Sequence, residues 1–247
     1  MVEKGLVARL VDLTKSDDRG LRLNALWAFK NLLHKSSSAQ KQTIMTALGW
    51  DTLSRYHISP YLNSLCDSFP RSLLVNPDSG LQEQGFHISR HLAESEEEVE
   101  TLFNELGTEP LLNLIAPALE TDNGDVLLQA TCLLANLANG SSQRQVSITS
   151  DRRIMASVRS CLVDSNVDVR RPAASCVLQL AKNTRCQKVL RDVGFDSTLR
   201  HMCDFGGGMI SGSPGPLSHQ MGVEDDPGVK EKAREALALL EYGEFTL

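Results

Sequence analysis

Aromatic residues are scarce in this chain, and proline is scarce within its periodic segments. Only 5% of the residues are Phe, Trp or Tyr, whereas Leu and Ala recur throughout the periodic segments. Strands of a β sandwich are rich in aromatic and β-branched residues. The composition therefore favours Leu- and Ala-rich helices over a β sandwich.

Long apolar runs are also absent. No run approaches the length needed to cross a bilayer, and Glu3 stands in an N-terminal stretch where a signal peptide carries basic and apolar residues. We therefore expect a soluble, intracellular protein without a membrane partner. Its expected location, as a separate prediction, is the cytoplasm and the nucleus.

Basic residues are too few for a nucleic-acid binder. The chain has 25 basic against 31 acidic residues and a formal charge of −6, whereas phosphate binding usually needs a basic surface. The six cysteines show no CxxC spacing, and Cys161 and Cys176 fall on apolar helical positions. They are predicted to be core residues in a reducing compartment rather than members of a disulfide framework.

No catalytic motif is recognisable. No Ser, Cys or Asp stands in a nucleophile motif, and the GGGM segment at 206–209 is loop composition without a preceding strand. We therefore predict no enzymatic activity, no cofactor and no small-molecule substrate.

What the chain does contain is one segment that recurs in altered form. Each copy carries small or apolar residues at i, i+3, i+4 and i+7, which form one stripe of an α-helix. The five stripes are Ala25/Ala28/Phe29/Leu32, Gly85/Ile88/Ser89/Leu92, Ala130/Leu133/Leu134/Leu137, Ala173/Cys176/Val177/Leu180 and Ala233/Ala236/Leu237/Leu240.

The spacing of these stripes predicts the fold class. Successive copies lie 60, 45, 43 and 60 residues apart, and a helical period in the forties is typical of armadillo or HEAT arrays. The third copy is preceded by two shorter helices, at 96–106 and 109–120, and three helices per repeat favour armadillo. We predict an all-α, right-handed armadillo solenoid of about five repeats that fills residues 1–247, with repeats at about 3–35, 40–94, 96–140, 142–183 and 184–242.

Two insertions account for the two longer spacings. Residues 59–80 contain Pro60, Pro70 and Pro77, which break helices, and residues 206–226 are rich in Gly, Ser and Pro. Both are interpreted as tolerated surface loops, with a functional lid as the alternative.

The first repeat lacks its first helix, because the helix at 4–14 corresponds to the second helix of the other repeats. Leu6, Val7 and Leu10 follow almost directly after Met1 without a polar capping repeat. We therefore expect the chain to be the C-terminal part of a longer array, or one from which a preceding segment was removed.

Polar residues recur on the face beside each buried stripe, at about 100° per residue. An amide on this face offers a donor and an acceptor, which can bind the main chain of an extended partner without reading its sequence. The alternative is that these amides satisfy the ends of neighbouring helices. The predicted partner-binding residues are Asn24, Trp27, Asn31, Gln84, His87, His91, Gln129, Asn136 and Gln179.

Two other groups of residues have competing interpretations. His87 and His91 lie at i, i+4, a spacing compatible with a metal ion, but no HExxH glutamate or third ligand is evident, so no metal site is predicted. The acidic run 94–100 is predicted to favour the start of the next helix through its dipole, although it also suits a basic partner.

Trp27 and Asn31, one turn apart, resemble the peptide-holding pair on the third helix of armadillo repeats. Segments 22–33, 129–151, 169–195 and 229–241 have the order and spacing of the C-terminal repeats in the armadillo repeat-containing protein 8 family. The resemblance covers well over half of the chain, is specific in NALWA and LLANLANG, and is weak in the second repeat. The inserted loops are longer than the family pattern.

This resemblance implies a non-catalytic scaffold subunit of the CTLH (GID) ubiquitin ligase. In that family the C-terminal groove docks a substrate receptor, and other repeats join the remaining subunits, so the partners are expected to be the receptor and ligase subunits. One rival is a nuclear-import adaptor that binds basic peptides, which is disfavoured because only the first repeat has the Trp. The other rival is an enzyme that uses His87 and His91.

Overall fold

The computed structural model describes residues 4–54, 72–203 and 226–243, and every regular element in these ranges is helical. The α-helices are α1 (Lys4–Thr14), α2 (Arg19–Leu33), α3 (Ser38–Leu48), α4 (Asp51–Ser54), α5 (Ser79–His91), α6 (Glu96–Leu106), α7 (Thr108–Ala118), α8 (Gly124–Leu137), α9 (Ser142–Ser150), α10 (Arg152–Cys161), α11 (Val167–Lys182), α12 (Thr184–Asp192), α13 (Phe195–Cys203) and α14 (Pro227–Tyr242). A short 3₁₀ helix, Leu73–Val75, precedes α5.

The three-helix repeat is confirmed. Helices α6 to α8, α9 to α11 and α12 to α14 form three successive repeats, and α6 has the bounds that the sequence predicts. Side chains cap several helix starts: Asn123 Oδ1 accepts a hydrogen bond from the Val126 amide at 3.0 Å before α8. The fold is an all-α armadillo solenoid.

The helices are grouped in two compact parts, here called the N-terminal half (to Asn136) and the C-terminal half (from Leu137). Each half buries most positions of the predicted stripes, whereas Ala28, Leu32 and Leu237 are half-buried. In the N-terminal half Phe29 and Ile88 are fully buried, as Val177 is in the C-terminal half. Full burial of such a side chain contributes about 1.5–3 kcal/mol, so these stripes supply much of the core in each half.

The two cysteines assigned to the core are buried there. Cys161 and Cys176 are 3% and 1% exposed and form no disulfide. Burial, reinforced by the neighbouring Cys161, raises the pKa of the Cys176 thiol to about 12. This thiol therefore stays protonated at neutral pH and behaves as a small apolar residue.

Arginine side chains tie successive third helices together within each half. Near the start of α2, the Arg19 guanidinium donates to both carboxylate oxygens of Asp78, the N-cap residue of α5. In the C-terminal half, Arg171 Nη2 donates at 2.7 Å to Asp226, the N-cap residue of α14. Each carboxylate thus caps its own helix and accepts from the preceding third helix, which sets the relative position of the two helix starts.

Part of the first predicted insertion is ordered helix rather than loop. Residues 59–71 lie outside the described residues, but Leu73 and Leu74 are 6% and 0% exposed and belong to the 3₁₀ helix. Their burial against α5 explains the difference, since an apolar pair flanked by prolines can still pack on a neighbouring helix. Of the second insertion, only Asp226 is described.

Near the N-terminus, α1 coincides with the helix predicted at 4–14. Val7 and Leu10 are buried at 6% and 9% exposure, whereas Leu6 is 48% exposed. The apolar side of α1 thus packs mainly against α2.

Gly85 permits the close approach of α5 to the 3₁₀ helix. A Cβ atom at this position would lie 2.7 Å from Leu73 Cβ and 3.1 Å from the Leu73 carbonyl carbon. We predict that Gly85→Ala lowers the free energy of unfolding, because overpacking costs about 1–3 kcal/mol and helix propensity returns only about 1 kcal/mol.

Gly124→Ala is the matched control, since a Cβ there meets nothing within 4 Å. Thermal and urea unfolding of both variants would test the contact. A Gly85→Ala variant as stable as Gly124→Ala would contradict this packing.

Candidate partner-binding face

The third helix of the first repeat presents three of the predicted binding residues to solvent. Trp27 is 56% exposed, and Asn24 and Asn31, three residues before it and four after it, are also exposed. They lie on the side of α2 away from Ala25 and Phe29, which face the core. Trp27 is therefore a surface residue and not part of the core.

The exposed indole of Trp27 has one cationic neighbour on its own helix. Lys30 Nζ lies 5.8 Å from the centroid of the Trp27 ring, within the range of a cation–π contact. The amide side chains of Asn24 and Asn31 form no hydrogen bond with any other residue in the described ranges. Their donors and acceptors are thus available to a partner.

The corresponding face of α5 is more deeply buried. Gln84 and His91 are 9% and 7% exposed, and the His87 side chain is 14% exposed. Within the described residues, the buried atoms Gln84 Oε1 and His87 Nδ1 have no hydrogen-bond partner. This part of the face offers less side-chain surface to a partner than α2 does.

The face of α8 is occupied by contacts with α5. Arg90 Nη1 donates to Gln129 Oε1 at 3.0 Å, and Asn136 Nδ2 donates to the Arg90 carbonyl at 3.1 Å. Both amides therefore satisfy groups on a neighbouring helix, as the alternative interpretation of the sequence proposed. Their role in binding a partner stays a prediction.

In the C-terminal half, Gln179 is half-buried on α11. On the same face, Lys232 Nζ donates to Ser175 Oγ at 2.7 Å, and Lys182 lies 3.9 Å from Glu235. These contacts join α11 to α14. Gln179 itself forms no hydrogen bond with another described residue and keeps its amide available.

The acidic run 94–100 begins α6 and also contributes a buried ion pair. Ser95 caps α6, and Glu96, Glu97 and Glu98 occupy its first turn, as predicted. However, Glu98 is also buried, and its Oε2 atom lies 2.9 Å from the ammonium of Lys41 on α3. The two residues are 57 positions apart, so this pair is not evident from the sequence.

Lys41 also binds Glu94, which connects the acidic run to the end of α5. Lys41 Nζ lies 2.7 Å from Glu94 Oε2, and His91 Nδ1 lies 2.8 Å from Glu94 Oε1. Burial alone would raise the pKa of Glu94, but the hydrogen bonds from Lys41 and His91 hold it below its usual value. Burial also lowers the pKa of His91, against the opposing effect of Glu94.

A separate cleft lies among second helices in the C-terminal half. It has a volume of about 690 Å³ and lies between α10 and α13. Arg159, Arg200 and His201 line it together with Asp196, so its charge is mixed. It is distinct from the third-helix face that the sequence analysis predicts to bind a partner.

The amino-acid sequence of the chain is similar to that of known proteins. The chain is 25% identical to armadillo repeat-containing protein 8 of Danio rerio over 208 aligned residues, and this alignment covers 82% of the chain. It is 23% identical over 243 residues, 96% of this chain, to the Xenopus laevis protein of the same name. The chain thus resembles armadillo repeat-containing protein 8 in sequence. It spans 28% of the length of these armadillo repeat-containing protein 8 sequences, and no family model matches it.

Solved structures agree on the fold. A designed armadillo repeat protein, YIII(Dq)4CqI, matches 96% of this chain and 83% of its own with a TM-score of 0.72 at 16% identity. A second designed armadillo repeat protein, solved with the peptide (KR)4, matches 96% of this chain and 82% of its own with the same TM-score and identity. The resemblance to armadillo repeat-containing protein 8 and the armadillo fold are both confirmed. In the part of the chain that the structure describes, no helix combines the length and hydropathy of a membrane span.

His87 provides a pH-dependent test of the buried α5 face. Burial, and then the charges of Lys30 on α2 and of Arg90 and His91 on α5, lower its pKa to about 3, and Glu83 lies 3.4 Å from its Nε2 atom. The unfolded chain therefore binds a proton below about pH 6.5 that the folded chain rejects. Stability from this group is present above that pH and is lost as the pH falls.

We predict that lowering the pH from 6.5 to 5 reduces the free energy of unfolding of the parent by up to about 2 kcal/mol more than that of His87→Gln. The expected difference in slope is about 1.4 kcal/mol per pH unit. Urea unfolding of both proteins at a series of pH values measures the difference in slope. A difference in the free energy of unfolding that is the same at every pH does not affect this comparison. Parallel pH profiles would contradict the buried, neutral state of His87.

Proposed function

We propose that this chain is a non-catalytic scaffold that docks an extended segment of a partner protein on its third-helix face. The observation that carries the proposal is the exposed indole of Trp27, flanked on one helix by the available amides of Asn24 and Asn31. A large exposed aromatic residue supplies the apolar anchor of a binding site. Amides beside it can bind the main chain of the docked segment.

We infer further that the partner is a substrate receptor of a CTLH (GID) type ubiquitin ligase, and that the chain works in the cytoplasm and the nucleus. The relationship to armadillo repeat-containing protein 8 supports this proposal. Docking a receptor on the scaffold would hold a substrate near the ubiquitin donor and promote its degradation. The chemistry itself belongs to other subunits.

The first repeat is poorly suited to a basic nuclear-localisation peptide. Lys30 already lies over the Trp27 ring, on the surface that a lysine of such a peptide would use. Among the described residues, no other third helix exposes a Trp. Binding of the (KR)4 peptide is therefore a property of the designed protein alone and is not transferred to this chain.

Replacing the exposed anchor tests the docking face. We predict that Trp27→Ala weakens receptor binding about thirtyfold, or roughly 2 kcal/mol, and that Asn31→Ala costs about 1 kcal/mol. The melting temperature of Trp27→Ala should change little, because the side chain is 56% exposed. Tyr242→Ala is the matched control, since this aromatic is 69% exposed and lies at the end of α14.

Affinity purification of the tagged chain from cells, followed by mass spectrometry, identifies the partner. Recovery of receptor, RING and LisH/CTLH proteins with the parent and with Tyr242→Ala, together with their loss from Trp27→Ala/Asn31→Ala, is the expected result. Recovery of nuclear-import factors and tight binding of a Lys-rich peptide would favour the import adaptor instead. Unchanged recovery with the folded double variant would exclude the α2 face as the docking site.

A further inference from the structure

Three potential metal ligands meet where two third helices end and the next repeat begins. His34 is the C-cap residue of α2, His91 is the last residue of α5, and Glu94 stands two residues before α6. One potential ligand atom from each of these residues lies within 4.8 Å of the other two. The fold thus assembles two imidazoles and a carboxylate from distant parts of the sequence.

The geometry of this cluster approaches that of a three-ligand zinc site. His91 Nδ1 and Glu94 Oε1 are 2.8 Å apart, and the His34 and His91 rings meet edge to face with their centroids 5.0 Å apart. Zinc binds imidazole nitrogen and carboxylate oxygen at about 2.0–2.2 Å, so tetrahedral ligands lie roughly 3.4 Å from one another. The ligand atoms lie within 4.8 Å of one another, and the ring of His34, exposed at a helix end, would have to move only slightly to reach this spacing.

The surrounding residues orient the carboxylate for a cation. Lys41 Nζ holds Glu94 Oε2 at 2.7 Å, which leaves Oε1 directed toward His91. Lys41 is fixed in turn by Glu98, whose other oxygen accepts from Ser38 Oγ at 2.8 Å. Such outer hydrogen bonds position the ligands of metal sites.

The charges around the cluster are balanced. Glu94 and Glu98 contribute two negative charges, and Lys41 contributes one positive charge. Arg90, whose charge acts on His91, contributes a second positive charge. Because Glu94 is exposed, solvent can share the charge of an ion bound to its Oε1 atom.

We propose that His34, His91 and Glu94 bind a divalent transition-metal ion of the zinc class. The ion takes the place of the proton between His91 Nδ1 and Glu94 Oε1, and the neutral imidazole then carries its proton on Nε2. The ion links the C-terminal ends of α2 and α5 to the start of α6, and water completes its coordination. His87 is not a ligand, because its ring is stacked with its centroid 6.5 Å from that of His91. The site therefore differs from the i, i+4 pair considered in the sequence.

The test uses the full chain, purified without a polyhistidine tag and stripped of metal. Isothermal titration calorimetry with Zn²⁺ should show one binding site. Addition of Co²⁺ should give the visible absorption spectrum of a tetrahedral complex. A hundredfold excess of Zn²⁺ over its Kd should raise the melting temperature by roughly 5–10 °C. The expected stabilisation follows because the ion binds the folded chain only.

His34→Gln is the informative variant, since this exposed residue can change without loss of the core. It should weaken Zn²⁺ binding more than the ~10–100-fold typical of losing an outer-sphere partner, and should abolish the zinc-dependent shift in melting temperature. His201→Gln, which alters a histidine on α13 outside the cluster, should retain both. Equal Zn²⁺ binding by the two variants, or no binding by the parent, would overturn the proposal.

Discussion

Each third helix has to bury one apolar stripe while keeping the face beside it polar, and the rest of the structure depends on how that stripe packs. Small residues such as Gly85, Ala130 and Ala173 bring the helices close to their neighbours, and Phe29 fills the space in the first repeat. Close packing fixes the rotation of each helix about its axis. The rotation then determines which side chains a partner can reach.

The polar faces of the helices divide between two tasks. On α8, Gln129 and Asn136 bind Arg90 and thus contribute to the stacking of neighbouring helices. On α2, Asn24 and Asn31 remain available beside the exposed Trp27. Amides at similar helical positions therefore bind a neighbouring helix in one repeat and form no hydrogen bond with another described residue in a different repeat. The docking face that we propose accordingly centres on the first repeat.

Much of the fold could be predicted from the sequence because its determinants are local. The 3.6-residue period identified the third helices, and the acidic run 94–100 marked the start of α6. The 3₁₀ helix at Leu73–Val75 was missed because three residues between prolines carry no periodicity. Its order comes from burial against α5, which is a tertiary effect.

The candidate sites were less predictable because their partners are distant in sequence. Lys41 is 53 and 57 residues from the carboxylates that it binds, Glu94 and Glu98. His34 approaches His91 only after α2 and α5 pack together. Helical spacing identified the polar face. It did not show which amides on that face would form hydrogen bonds with neighbouring helices.

In the proposed complex a partner covers the exposed indole of Trp27. Acrylamide quenching of Trp27 fluorescence, in a Trp50→Phe background with and without the purified receptor, tests this contact. Receptor binding should shield Trp27 strongly from the quencher. Unchanged quenching in a complex that has formed would show that the partner docks elsewhere.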